Sequence, residues 1–388
     1  MDKLVFSRAR HYLLCFLISA ITGLVCLGGW NFFVDPNFLF HYSEVSSQNK
    51  GFERDFKPWH LRAKKPEVVV IGNSRPLFSF DVDLLPNTNA YNFAIAGATT
   101  RELLANFRHA VYAGSVKQVY MNLDNVCSNI AVPPNFHLSS DLYTNVRAHF
   151  HRASRLLQTQ NLTDFLMGKP LLDDKLYDLQ GRRTRFDSNR TPRESFLFRE
   201  NNKIRNGLKA RSSSHCNTSA VKEILRLAHQ SGIRLSIFTN PIHMRYIEID
   251  HMFGRSEKIL DTRKRILVSV NEQVAKESGE APFPIYDFLL VNEVTTEEIR
   301  FSDYPPSNYW FESSHYRKAI GDMMVLFMLS PEKSLGVDGF AKVISSSNID
   351  QHISEQVSLF NQWRDNSPTV INELSKRAKA IEGVNKLD

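Results

Sequence analysis

Cysteine is scarce, four in 388 residues, and no CxxC or Cys/His pairing at metal-ligand spacing occurs. That excludes a structural zinc module and a disulfide-rich scaffold. Glycine (17) and proline (16) are too few for a fibrous or low-complexity chain. The absence of an internal repeat sets aside solenoids and propellers. No GxGxxG or Walker motif follows the first apolar run, so a nucleotide-binding domain would lack its phosphate loop. Neither sign of charge dominates: 48 Lys and Arg stand against 41 Asp and Glu, and the net charge of +7 is too small to name a partner.

What is present is a chain able to bury a core, with 42% hydrophobic and 23% charged residues. Its surplus charge is unevenly placed: Ser140 to His215 holds 15 basic and 8 acidic residues, a local excess of 7 that equals that of the whole chain. Tyr12 to Val34 is a charge-free run of 23 residues behind Lys3, Arg8 and Arg10. As a helix it spans roughly 34 Å at about 1.5 Å per residue, enough to cross a hydrocarbon core, which argues against a plain cytosolic enzyme. Basic residues before the run and Asp35 after it place the N-terminus in the cytoplasm and the rest outside. The run exceeds a usual h-region and has no small-x-small site before Trp30, which favours an uncleaved anchor over a signal peptide. Cys15 and Cys26 read as packing residues of the span. Cys127 and Cys216 fall in the exported part, where a bridge is permitted but not dictated by the sequence.

Beyond a polar linker, Glu67 to Gly72 is a short apolar run of the kind buried on both faces of a parallel sheet. Ala90 to Gly97 and Val116 to Leu123 are further strands, with a capped helix opening at Thr99 between them. The alternation resumes with a helix at Val221 to His229, a strand at Arg234 to Thr239, a helix at about Ser256 to Glu277, a strand at Pro284 to Phe288 and a helix at Tyr316 to Met328. This pattern predicts an α/β layer fold with a parallel sheet. The division is 1–11 cytoplasmic, 12–34 anchor, 35–65 linker, 66–330 α/β domain with a basic insertion at about 127–216, and 331–388 helical tail. The insertion reads either as a solvated basic face or as a wall steering an acidic polymer or lipid surface. A nucleic-acid partner fits an exported chain poorly.

Reactive groups of an open parallel sheet collect past the carboxyl ends of its strands. Those positions hold Asn73-Ser74-Arg75, Gly97, Asn122-Leu123-Asp124-Asn125, Asn240 to His243 and Asp287, with Trp310 to Tyr316 opening the last helix. A nucleophilic serine needs a base, and the base an orienting carboxylate; Ser74, His315 and Glu312 supply them, with Asp287 as the alternative acid. Ser74, Gly97 and Asn122 or Asn125 can donate to an oxyanion. Arg75, Asn240 and His243 are candidate substrate contacts, and His243 is a rival base. Each also has an ordinary structural role: Ser74 as a helix cap, His315 as a first-turn residue, Arg75 as half of an ion pair.

Gly72-Asn73-Ser74, Gly97, an Asn near the third strand end and the late Glu312-Ser-Ser-His315 resemble the four blocks of the SGNH (GDSL-like) hydrolases. They are most similar to the membrane-anchored envelope branch that includes D-alanyl-transfer and polysaccharide O-acetylation proteins. The resemblance covers about Pro66 to Met328. It implies a three-layer flavodoxin-like SGNH fold, a Ser74 nucleophile, a His315 base and a Gly97 oxyanion donor, needing no cofactor or metal. The location implied is the bacterial inner membrane with the domain facing the periplasm or exterior. The expected activity is an esterase or O-acyltransferase acting on an acylated glycan or polysaccharide. Two departures stand out: Glu312 replaces the usual Asp, and Asp124 stands near an oxyanion donor's place. They motivate the alternative of a catalytically silent glycan-binding or assembly subunit partnering a multi-span membrane acyltransferase.

Overall fold

The structure is a computed structural model describing residues 2–35, 38–42, 53–85, 89–127, 142–168, 176–186, 190–209, 216–333 and 336–385. Part of the basic insertion, including Lys169, Lys175 and Arg211, lies outside the described residues.

The first apolar run becomes β1 (Val68–Ile71), with all four residues buried. Its side chains alternate between two layers: Val69 and Ile71 face one core, Val68 and Val70 the other. Four parallel strands join it: β2 (Ala90–Asn92), β3 (Gln118–Asn122), β4 (Arg234–Phe238) and β5 (Ile285–Asp287). A separate antiparallel hairpin pairs β6 (Trp310–Glu312) with β7 (His315–Tyr316), and β8 (Lys342–Ile344) lies antiparallel on the far edge of the main sheet. The order β2-β1-β3-β4-β5-β8 reverses direction at β1 and β3, so a crevice opens past their carboxyl ends. The expected α/β fold is present, with a six-stranded sheet that is parallel except for β8.

The helices are α1 (Asp2–Val34), α2 (Glu53–Lys64), α3 (Ser74–Ser79), α4 (Thr100–Tyr112), α5 (Leu142–Ser154), α6 (Gln160–Leu166), α7 (Pro192–Lys209), α8 (Ser219–Gln230), α9 (Met244–Met252), α10 (Arg263–Ser278), α11 (Lys318–Leu329), α12 (Ile349–Asp365) and α13 (Pro368–Asn385). Apolar faces of α4, α8, α10 and α12 cover one side of the sheet. The other side is covered by α11, the hairpin residues Trp310 and Tyr316, and Phe196 of α7.

In α1, Arg10–Val34 is long and apolar enough to be a membrane anchor or signal sequence, with a mean hydropathy of 2.1 and none of its most apolar window buried. Its end is tied to the domain: Asn31 Nδ2 donates to the carbonyls of Leu156 (2.7 Å) and Gln158 (2.9 Å).

Several elements depart from the sequence reading. The expected helical tail 331–388 supplies β8 to the main sheet and packs Ile349 and Ile353 into its core, and α9 is absent from that reading. The expected linker contains α2, whose polar composition and internal Pro58 hide a buried set of Phe56, Trp59 and Leu61. The insertion contains α7, opened by a capping box in which Thr191 and Glu194 exchange hydrogen bonds (2.8 and 3.3 Å) ahead of Pro192. The segment from Trp310 is a hairpin rather than a helix-opening loop. Cys127 and Cys216 are disulfide-bonded, closing the insertion across 89 residues.

Arg147, Arg185, Arg190, Arg193, Arg205 and Lys209 of the insertion are exposed, and others of its cations are engaged. Arg155 pairs with Asp55 (3.0 Å) and Arg182 with Asp178 (3.2 Å), while Arg152 lies over the ring of Trp59. Lys203 pairs with Asp250 (2.7 Å). Arg152, Arg155 and Lys203 thereby meet a ring or acids outside the insertion.

Asp287 is not the orienting acid. It is fully buried and accepts from Thr239 Oγ1 (2.6 Å), Lys264 Nζ and His352 Nε2 (2.8 Å), so it ties α10 and α12 to the sheet. Burial alone would raise its pKa; Lys264 and His352 outweigh that and hold it below 3.8. Its stabilisation is therefore present above that pH and lost as pH falls through the lower folded value. Asp287→Asn leaves Lys264 buried without its counter-ion, and a loss of about 3–5 kcal/mol is expected in urea unfolding at pH 7.

Candidate active site

The site begins where β1 ends. Gly72 is required by space, since a Cβ there would come within 2.5 Å of Pro76 Cγ and 3.0 Å of Asn122 Cβ. This close turn leads directly into α3, which Asn73 caps by accepting from the Arg75 N–H at 3.0 Å. Ser74 is the first residue of α3, so its N–H has no intrahelical acceptor. Its hydroxyl lies 2.7 Å from Nε2 of His315, which is 241 residues distant in the chain.

His315 is held by the hairpin. Glu312 and His315 are cross-strand partners flanking the two-residue loop Ser313-Ser314, which puts their side chains side by side. The ring Nδ1 bonds Glu312 Oε1, and Nε2 is left to accept from Ser74. Glu312 is itself fixed: the Ser314 N–H donates to Oε2 and the Ser314 hydroxyl to Oε1, both at 2.9 Å. The hairpin is anchored by Trp310 Nε1 donating to Val294 O (2.9 Å) and by Ser79 Oγ donating to Tyr316 O. Phe78 and Phe186 pack against the imidazole with centroids at 5.8 and 5.4 Å, excluding water from its edge.

Arg199 of α7 sits on this pair. Its Nε donates to the Ser314 hydroxyl at 2.7 Å and lies 3.5 Å from Glu312 Oε1, while one Nη is 3.5 Å from His315 Nδ1. Sequence reasoning missed Arg199 and Ser314. The Thr191-Pro192-Arg193-Glu194 box was the available signal, since it starts the helix that carries Arg199.

Asp124 has four donors: Arg75 Nη1 (2.9 Å), Asn240 N–H (2.6 Å), Asn240 Nδ2 (2.7 Å) and Asn73 Nδ2 (3.4 Å). It is a brace between strand ends. Several expectations are corrected by where the side chains point. Asn122 is buried and donates to Phe238 O (3.3 Å), so its amide is spent inside the sheet. Asn240 is buried in the Asp124 brace and accepts from the Tyr316 hydroxyl (2.7 Å). His243 caps α9 and its Nε2 meets Glu297 O (2.8 Å); burial pushes its pKa down to about 3. It neither lines the site nor serves as a second base. Arg75 reaches the site but is held by Asp124 and by Ser314 O (2.8 Å).

Ser74, Gly97 and Asn125 share one cavity of about 300 Å³ with Arg199, Tyr246 and Arg263. Gly97 has φ +67° with open space where a Cβ would be, so its requirement is conformational and its backbone faces the cavity unobstructed. No protein-family model, no curated protein and no solved structure matches the chain.

Burial lowers the His315 pKa from its usual 6.5; Glu312 opposes this, while Arg199 and Arg75 reinforce it. The ring is therefore neutral, and able to accept a proton, at neutral pH. Titration of the His315 ring by NMR is expected to give a midpoint below 6.5. Arg199→Ala removes a cation that disfavours imidazolium, so the midpoint is expected to move up; an unchanged midpoint would mean that Arg199 does not tune the ring.

Proposed function

We propose that the chain is a serine esterase or O-acyltransferase, held at a bacterial cell membrane by α1 and acting on an ester of a surface polysaccharide or related glycan. The observation that carries this reading is the continuous contact Ser74–His315–Glu312 beside a cavity at the sheet's reversal point. The SGNH-like order of Gly72-Asn73-Ser74, Gly97 and the late Glu-x-x-His supports it from the sequence side.

In this reading His315 Nε2 takes the Ser74 proton as Oγ attacks the acyl carbon. Glu312 holds the ring and stabilises the imidazolium. The negative oxygen is met by the N–H groups of Ser74 and Gly97, with the Asn125 amide available in the same cavity. As the ester C–O bond breaks, His315 returns the proton to the departing alcohol, leaving an acyl-Ser74. Water or a sugar hydroxyl then attacks, activated by the same ring. The first acceptor gives an esterase, the second a transferase.

The full chain in detergent is expected to hydrolyse a short-chain aryl ester and to be labelled by a serine-directed fluorophosphonate. Ser74→Ala is expected to lower kcat by at least about 10³-fold and abolish labelling, with an unchanged melting temperature. Equal rates for the two proteins would overturn the nucleophile.

A further inference from the structure

The cavity beside Ser74 is lined by five cations, Arg75, Arg199, Lys203, Arg263 and Lys264, and by the carboxylates of Asp124 and Asp250. Four of the cations are accounted for. Arg75 pairs with Asp124 (2.9 Å), Lys203 with Asp250 (2.7 Å), Lys264 with Asp287, and Arg199 lies 3.5 Å from Glu312. Arg263 is different. Its Nε is buried without a hydrogen-bond partner, and no carboxylate lies within ion-pair distance among the described residues.

Its position is held by its neighbours. Arg263 opens α10, immediately before the fully buried Lys264 that is locked to Asp287 and to Leu289 O (2.8 Å). Arg265, on the other side, turns outward to Asp261 and Asp350. Burial lowers the Arg263 pKa; Asp124 and Asp250 oppose this from beyond contact range, and Arg75 adds to it. A cationic N–H buried without an acceptor, on a side chain that is only partly exposed, is costly unless something else supplies the acceptor and the negative charge. Its planar fork matches the two oxygens of a carboxylate or phosphate.

We propose that Arg263 forms an anion subsite in the Ser74 cavity, so that the substrate carries a carboxylate or phosphate group close to its ester. A cavity of about 300 Å³ is at the lower end of small-molecule sites and suits one acidic sugar unit at a time. Lys203 and Arg199 line the same cavity but keep their partners Asp250 and Glu312, so Arg263 is the cation left for the anion. The ester part of this inference rests on the proposed acyl-transfer reading; the anion part does not.

The test uses the full chain in detergent at fixed ionic strength, with inorganic phosphate, glucuronate and neutral glucose as probes and the melting temperature as readout. Phosphate or glucuronate is expected to raise the melting temperature above the chloride control, and glucose is expected not to. Arg263→Gln should abolish the rise and Arg263→Lys should retain part of it, with circular dichroism confirming that both fold. Should Arg263→Gln fail to fold, the parent's response and that of Arg263→Lys still decide. A response to phosphate alone assigns a phosphorylated unit, and one to glucuronate alone a uronic acid unit. No rise in the parent with either anion, or equal rises in the parent and Arg263→Gln, would overturn the subsite. Ser74→Ala should keep the full response. Loss of fluorophosphonate labelling in a parent that still responds to anions would overturn the nucleophile and leave the subsite standing.

Discussion

The Asp124 carboxylate is the constraint on which the site's geometry depends. It receives Arg75 and Asn73 from the turn after β1 and both donors of Asn240 from the end of β4. Arg75 in turn holds the Ser314 carbonyl, and Asn240 receives the Tyr316 hydroxyl. One acid therefore connects the serine turn, two strand ends and the hairpin that carries Glu312 and His315. Four donors to one carboxylate also remove the charge conflict that an acid beside an oxyanion would create. Asp124 is neutralised by Arg75, and the donors left for an oxyanion are backbone N–H groups and Asn125.

The parts of the fold legible in the sequence were those written in local periodicity. Val68–Ile71 is buried on both faces, and in Arg234–Phe238 the residues Leu235, Ile237 and Phe238 are buried, so no helical pattern competes with them. Ser74 was legible as a serine following a strand end, and Glu312 and His315 as an acid and base three residues apart before the last sheet helix. What was not legible depends on contacts between distant segments. The polar helix α2 exists because Phe56 and Leu61 meet the core and Arg54 reaches Glu102 (2.6 Å). The roles of Asn122 and Asp287 are decided by which side of a strand end each faces. Spacing alone does not report that.

The basic insertion takes on a different meaning once its partners are known. Its charges divide: Arg155, Arg182 and Lys203 are paired with acids, while Arg147, Arg185, Arg190, Arg193, Arg205 and Lys209 are exposed. Two of its cations enter the cavity, Arg199 and Lys203, because α7 packs its apolar side, including Phe196 and Ile204, against the domain. The insertion thus forms one wall of the site. The Cys127–Cys216 bridge fixes its two ends together, close to where β3 delivers Asp124.

The hairpin explains how a glutamate can serve as the partner of His315. Glu312 and His315 lie opposite each other across a two-residue loop, so the acid approaches Nδ1 from a neighbouring strand. From there its longer side chain spans two demands at once: one oxygen meets the ring and the Ser314 hydroxyl, and the other takes the Ser314 N–H. A shorter acid on the same backbone would have to give up one of these. Arg199 then closes the top of the pair, lowering the pKa of Glu312 along with that of His315. Burial disfavours both charges; at the carboxylate the His315 N–H, Arg199 and the Ser314 N–H outweigh it, and at the ring Arg199 and Arg75 add to it against the opposing effect of Glu312, so the acid stays ionised and the ring neutral.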